Sequence, residues 1–455
     1  MSAIIKAEHL YCSRNFAFAK IKLKRLQLKN MKKISFLLGL LILIIVSFKP
    51  AAPNIRTNPV GEDGWVELIN GKDFTGWKAS ENTATWSVTD GLFQAVGKRS
   101  HLFYEGKHLK DGFKNFELEV QVRTFRLANS GIYFHTEYQE KGWPNKGFEI
   151  QVNNTHIGEG EYIELKKMAS LYGVRNIYKN FAKDGEWMTV KARVESNRVQ
   201  IWLNGLKTVD YIQPEHTFPT LMRLTKGTFC LQGHDSLSKM QFKSFRVRRL
   251  PDDAHTNLPA PVLGAWHDSL VVLQGRQFAF IDLNPTTTLS AKELANYVYA
   301  TGINASLVKT PATAKELSAA KILPLFTGIK VNAKNIATAQ IANTDYIIGE
   351  STDVQTAKAL LTSNKINIWS DKGKSLNTAD ANTLLDMAKK NNIAIEIDNE
   401  SQSPSVDVIQ IAKEKGCRFT FAGLISAGKM EKSAYVIDAI KQAKLTYKDL
   451  YIPKW

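Results

Sequence analysis

From Phe116 to Arg123 apolar and polar residues alternate without a break: Phe116, Leu118, Val120 and Val122 against Glu117, Glu119, Gln121 and Arg123. A period of two fits an extended strand with one buried and one wet face, because successive side chains of a strand point to opposite sides. The same pattern returns in Phe148–Asn153, where Phe148, Ile150 and Val152 oppose Glu149, Gln151 and Asn153. The three polar groups form a row at roughly 7 Å spacing. Such a row suits the hydroxyls of a sugar, and it equally suits a sheet face that simply meets water. Further strands are expected at Trp65–Asp73, Gly131–His135, Trp187–Glu195, Thr228–Leu231 and Phe245–Arg248. Hairpins turn at Asp90-Gly91 and Asn204-Gly205, the dipeptides that favour two-residue turns. Many short strands with close turns predict an antiparallel β-sandwich over 62–250.

Past Pro251–Pro261 the period changes. Apolar runs at Ala279–Asp282, Ile303–Val308, Tyr346–Ile348, Ile366–Trp369, Ile393–Ile397 and Arg418–Phe421 alternate with helical patterns, which predicts an α/β barrel or parallel sheet over 262–455. Ser403-Pro404 is expected to open one helix and Gly416 to end it. At 455 residues, two domains of this size can each bury a full core.

The formal charge of +17 suggests nucleic acid until it is located. Residues 1–50 hold ten Lys or Arg and one acidic residue, more than half of the excess. The remainder has no basic cluster, so nucleic acid is not expected as a partner. Met31-Lys32-Lys33 and the apolar run Ile34–Phe48 have the layout of a signal peptide over 31–52, shorter than a membrane span. Residues 1–30 form a leader upstream of that start. The expected location is periplasmic or secreted, with membrane contact only through the signal segment if it stays uncleaved. Cys12, Cys230 and Cys417 are far apart, which gives neither a disulfide framework nor a zinc spacing.

Thr228, Cys230, Gln232 and His234 share one side of the stretch G-T-F-C-L-Q-G-H. If that strand joins the sheet of Phe148–Asn153, Gln232 and His234 lie beside Glu149 and Gln151, and His135 faces one side of its own strand. A carboxylate converging with imidazoles can carry general acid-base chemistry. Taken singly, each His is equally a surface residue. Trp143, in a G-W-P loop, is placed either to stack on a sugar or to pack.

In order, W-V-E-L-I-N-G-K-D-F-T-G-W-K, N-S-G-I-Y-F-H, G-F-E-I-Q-V-N-N-T-H, S-L-Y-G, I-W-L-N-G and L-Q-G-H make residues 62–249 resemble the 3-keto-disaccharide hydrolase family. The resemblance implies a concanavalin A-like jelly-roll sandwich, bacterial export and action on 3-keto-glycosides. It maps Glu149 and Gln151 on the family's E-x-Q strand, Asn129 on N-S-G, Gln232 and His234 on L-Q-x-H, and Lys167, Ser170 and Tyr172 on K-x-x-S-L-Y. Asn154 stands where many members have Asp. The expected roles are Glu149 or His135 as base and His234 as leaving-group acid or oxyanion donor. Asn129, Gln151, Asn153, Lys167, Tyr172, Gln232 and Trp143 are expected to bind substrate. A divalent cation on Glu149 is compatible with this set, although no ligand spacing demands one. The alternative is a non-catalytic carbohydrate-binding protein that uses the same face.

The second domain, through F-I-D, I-A-I-E-I-D-N and A-K-E-K-G-C-R-F-T-F-A-G, resembles PHP domains, the polymerase and histidinol phosphatase family. That resemblance implies a distorted seven-stranded β/α barrel with a trinuclear metal site. Here the motif positions hold Asn284, Thr286, Leu424 and Ser426, and no His follows His267. Glu396 and Asp398 remain, and a non-catalytic barrel is expected.

Overall fold

In the computed structural model the alternating segments pair as two facing antiparallel sheets. Residues 64–158, 162–214, 222–252 and 279–453 are described, the last with gaps at 287, 310–322 (Glu316 and Ala320 excepted), 340–343, 374–377, 427–428 and 431–433. The leader, the signal-like run, Cys12 and most of the linker lie outside these residues. Among the described residues no helix is long and apolar enough to cross a membrane.

The larger sheet runs β11 (Leu206–Ile212), β10 (Arg198–Leu203), β9 (Met188–Glu195), β6 (Phe116–Thr124), β13 (Lys239–Arg249), β4 (Leu92–Val96) and β3 (Trp86–Thr89), with β1 (Trp65–Glu67) also on β13. The smaller runs β2 (Trp77–Ala79), β5 (Ser100–Tyr104), β12 (Thr228–Gly233), β7 (Asn129–Thr136) and β8 (Phe148–Asn153). The apolar halves of the alternating strands meet between the sheets. Phe116, Phe134, Phe148 and Phe229 are buried there, each contributing about 2–3 kcal/mol by leaving water. The polar half of β8 therefore faces away from that core, and it carries Glu149 and Gln151 onto the outer side of the smaller sheet.

The second region is a closed barrel. Parallel strands β14 (Ile281–Thr286), β15 (Asn304–Lys309), β16 (Phe326–Val331), β17 (Tyr346–Ser351), β18 (Ile368–Asp371), β19 (Ala394–Asp398) and β20 (Phe419–Ser426) pair in sequence, and β20 returns to β14. A short β21 (Lys429–Met430) adds antiparallel to β20. Helices α1 (Ala291–Thr301), α2 (Val354–Thr362), α3 (Thr378–Lys390), α4 (Val406–Glu414) and α5 (Ala434–Gln442) alternate with the strands. Ser290 and Glu293 form a capping box on α1, and Gly302 ends it at φ +77°. The chain departs from expectation at α4, which starts at Val406 with Ser405 as its N-cap, so Pro404 precedes the helix instead of filling its first turn. Gly416 follows the end of α4 at φ +73°, as expected. Cys230 and Cys417 are buried free thiols, one in each region.

Candidate functional site

A cavity of about 460 Å³ opens on the outer face of the smaller sheet. Its floor comes from three neighbouring strands: Asn129 and Tyr133 on β7, Glu149 and Gln151 on β8, and Gln232 on β12, with His234 just beyond. Register explains the gathering. Tyr133 stands opposite Glu149, Gly131 opposite Gln151, and Cys230 opposite Tyr133. Gly131 is required by the carboxylate, since a Cβ there would lie 2.4 Å from Glu149 Oε1. The wall is built by Trp143, Pro144 and Gly147 on one side and by Tyr162, Glu164 and Tyr172 on the other, with Met222 completing it.

The floor is one connected set. Tyr133 Oη donates to Glu149 Oε2 at 2.8 Å, and Gln232 Nε2 donates to Tyr133 Oη at 2.8 Å. Gln151 Nε2 donates to Asn129 Oδ1 at 2.7 Å. These bonds leave the carbonyl oxygens of Gln151 and Gln232 buried without a partner. Burying an acceptor unpaired costs about 1–3 kcal/mol, which ligand hydroxyls would recover. Burial pushes the Glu149 carboxyl up to about 8, reinforced by the Glu164 charge and opposed by the Tyr133 hydrogen bond. At neutral pH this carboxyl is mostly protonated, and its ionised fraction is a stronger base than an ordinary carboxylate.

His234 and Trp143 form the rim, with ring centres 5.0 Å apart. His234 Nδ1 pairs with Asp235 Oδ2 at 2.6 Å, which fixes the ring and leaves Nε2 as the atom available to a ligand. Burial works against the Asp235 charge, yet hydrogen bonds from His234 and Ser238 hold its carboxyl at about 2. Trp143 is 44% exposed, a flat apolar face at the mouth. It sits against His101, and the Arg99 guanidinium lies 5.0 Å from its ring centre. Arg99 is paired in turn to Glu81 at 2.7 Å.

Seven expected residues thus meet at one cavity: Glu149, His234, Asn129, Gln151, Tyr172, Gln232 and Trp143. Three do not. Between β7 and β12 the register jumps from Phe134–Phe229 to Thr136–Thr228, so His135 is the extra residue of a bulge with φ +56°. The bulge takes its ring off the Tyr133 face and onto Phe116 and Phe134. Its Nε2 donates to Lys114 O, its Nδ1 accepts from Thr225 N, and burial depresses its pKa to about 4. Asn153 shares the face of Glu149 but spends its amide on the backbone, donating to His156 O and Lys166 O and accepting from His156 N. Lys167 is buried behind the wall with its Nζ on His156 O, and burial lowers its pKa to about 8.

Tyr133, Tyr162 and Glu164 were not singled out from the sequence. Tyr133 carried a signal, two residues after the Gly of N-S-G and so on its face. Tyr162 and Glu164 sit in an irregular stretch with no period to read. Among the described residues no three His, Cys, Asp or Glu side chains come together to hold a metal ion.

The region that holds this cavity is similar to known proteins. Residues 64–248 match the family described as the 3-keto-alpha-glucoside-1,2-lyase-like domain. A 3-keto-disaccharide hydrolase of Bacteroides thetaiotaomicron is 26% identical over 192 residues, a match covering 36% of this chain and 64% of that protein. Among solved structures, one from Parabacteroides distasonis, named provisionally as a glycosyl hydrolase, is 24% identical with a TM-score of 0.36, covering 42% of this chain and 95% of that one. A carbohydrate-binding module of Bacillus subtilis is 15% identical with a TM-score of 0.26, covering 38% and 96%.

Proposed function

We propose that the sandwich, as a domain of the 3-keto-disaccharide hydrolase family, cleaves 3-keto-glycosides by removing the proton at C2 and expelling the substituent at C1. The observation that carries this reading is the Glu149 carboxyl, raised to about 8 on the floor of a sugar-sized cavity between Tyr133 and two unpaired amide oxygens. A C–H bond next to a ketone is a weak acid, and a base of raised pKa is better matched to it than an ordinary carboxylate.

In the proposed cycle Glu149 takes the C2 proton. The C–H electron pair forms the C2=C3 bond, and the C3 oxygen takes the charge as an enediolate. Collapse restores the C3 ketone, forms C1=C2 and breaks the C1–O bond, and His234 protonates the departing oxygen. Water added across C1=C2 then gives the free 3-keto sugar. Donors near the floor stabilise the C3 oxygen as charge grows on it, as oxyanion holes do. Asn129, Gln151 and Gln232 hold hydroxyls, and Trp143 offers a stacking face. The signal-like run Ile34–Phe48 supports a location of this chemistry outside the cytoplasm. The barrel, in this reading, is a non-catalytic relative of PHP domains.

A binding module would use the same floor, and the exposed Trp143 favours that second reading. A 3-keto-glucoside deuterated at C2 separates the two. Enzymatic cleavage predicts a primary isotope effect, or washout of the label into solvent in the early part of the reaction. Binding with the label retained and no product would leave only the module.

A further inference from the structure

Behind the cavity wall the chain makes a second set of bonds. Lys167 to Ile177 doubles back on itself: Leu171 and Arg175 exchange backbone hydrogen bonds, and Lys167 N donates to Ile177 O at 2.8 Å. One arm adds to the free edge of β8. Ala169 N donates to Gln151 O, Gln151 N to Ser170 O, and Tyr172 N to Glu149 O, each at 2.9 Å. The backbone carrying Glu149 and Gln151 is thus held from its far side by this arm.

The other arm belongs to the barrel. Ile177 and Tyr178 are buried in the barrel's core. The Arg175 guanidinium donates to Tyr299 O at 3.2 Å and Ala300 O at 2.7 Å, carbonyls that the last turn of α1 leaves without helical partners. Lys179 Nζ reaches Asp345 Oδ2 at 2.8 Å and Leu325 O at 2.9 Å. Asn304 Nδ2 closes the seam on Asn176 O at 2.8 Å. A surface loop does not bury a guanidinium and an ammonium in this way without a partner domain to pair them.

We propose that the barrel is the positioning half of the sugar site: by seating Arg175–Lys179 it sets the arm that carries Tyr172 and holds the Glu149 strand. Arg175 and Lys179 are positioning residues that touch no substrate. The inference rests on the proposed function for the identity of the sugar, but its structural half does not.

The test uses two matched glycines of the barrel in the full chain. Gly302 and Gly416 both follow helices with φ near +75°, so Ala strains each alike. A Cβ on Gly302 would meet Arg175 Cδ at 3.1 Å and Val174 O at 3.3 Å, whereas one on Gly416 would meet only Lys389. Gly302→Ala should speed amide hydrogen exchange at Gln151, Ala169 and Tyr172 by about tenfold, and Gly416→Ala should leave those amides alone. On a 3-keto-glucoside, Gly302→Ala should also lower kcat/KM by about tenfold, mostly through KM, because a displaced wall weakens substrate placement. Equal exchange at the three amides in both variants would overturn the proposal. If Gly302→Ala does not fold, Lys179→Met takes its place under the same criterion, since Asp345 keeps its bonds from Thr327. Wild type that turns over no glycoside would sink the proposed function, while the exchange result would still decide the barrel's role.

Discussion

Two buried carboxyls in this chain are pushed up to the same value, about 8, and in both burial is the main cause: Glu149 in the sandwich and Asp282 in the barrel. Their surroundings differ. Asp282 spends its oxygens on the backbone, accepting from Asn284 N at 3.1 Å and Ile425 N at 2.7 Å. Nearby, Asn284 and Ser370 bond Glu396, and Lys372 reaches both Glu396 and Asp398. The charges at that end of the barrel are answered from within. Glu149 instead faces open space, with Tyr133 on one side and amide oxygens unpaired beside it. An unpaired amide oxygen is present at both, since Asn284 Oδ1 is also buried without a partner, so what sets Glu149 apart is the open cavity it faces.

The comparison is sharpest under one substitution made twice, acid to amide. Glu149→Gln should cut turnover of a 3-keto-glucoside by about 10²–10⁴-fold, the range for loss of a general base. Asp282→Asn should leave turnover within about twofold and cost the fold about 1–3 kcal/mol in denaturant melts, because an amide cannot accept both backbone donors. A smaller loss, about 10- to 100-fold, is expected for Tyr133→Phe. Tyr133 lowers the Glu149 pKa by its hydrogen bond, so removing it should move the acid limb of the pH–rate profile upward. In wild type that limb should climb about tenfold per pH unit until the pH reaches the Glu149 value of about 8, since the base acts only when ionised.

Stability responds with the opposite sign. The Glu149 carboxyl is raised from 4.5 to about 8, so the folded state keeps a proton that the unfolded chain has lost. Wild type should therefore lose stability as pH rises from 4.5 to about 8. Glu149→Gln should remove the Glu149 share of that loss, leaving the share of Asp282, and should be more stable than wild type at the alkaline end by upward of about 1 kcal/mol. In the barrel, Lys372→Met should cost about 3 kcal/mol by leaving Glu396 and Asp398 without their cation, while sparing turnover.

Much of this was legible in the chain because period two is a direct record of a sheet's two faces. Phe148–Asn153 is a strand with the bounds that its alternation marks, and Glu149 and Gln151 face as that alternation requires. The same rule failed one strand away. At His135 a single bulged residue reverses the side-chain direction, and nothing in I-Y-F-H-T announces a left-handed backbone. In the barrel, β16 escaped notice because Gly328 interrupts F-T-G-I-K-V. The structure explains that glycine, since a Cβ there would lie 2.3 Å from the Tyr346 ring. The wall with Tyr162, Glu164 and Tyr172 was least legible, apart from Tyr172. Its conformation is set by β8 on one side and the barrel on the other, contacts of long sequence separation that no local pattern encodes.

The most direct test of the account is aglycone release from a 3-keto-glucoside and from its parent glucoside by the protein and by Glu149→Gln. The account predicts that wild type cleaves only the ketone-bearing sugar and that the amide variant binds it without turnover. Equal cleavage of both sugars, or an unimpaired variant, would contradict it.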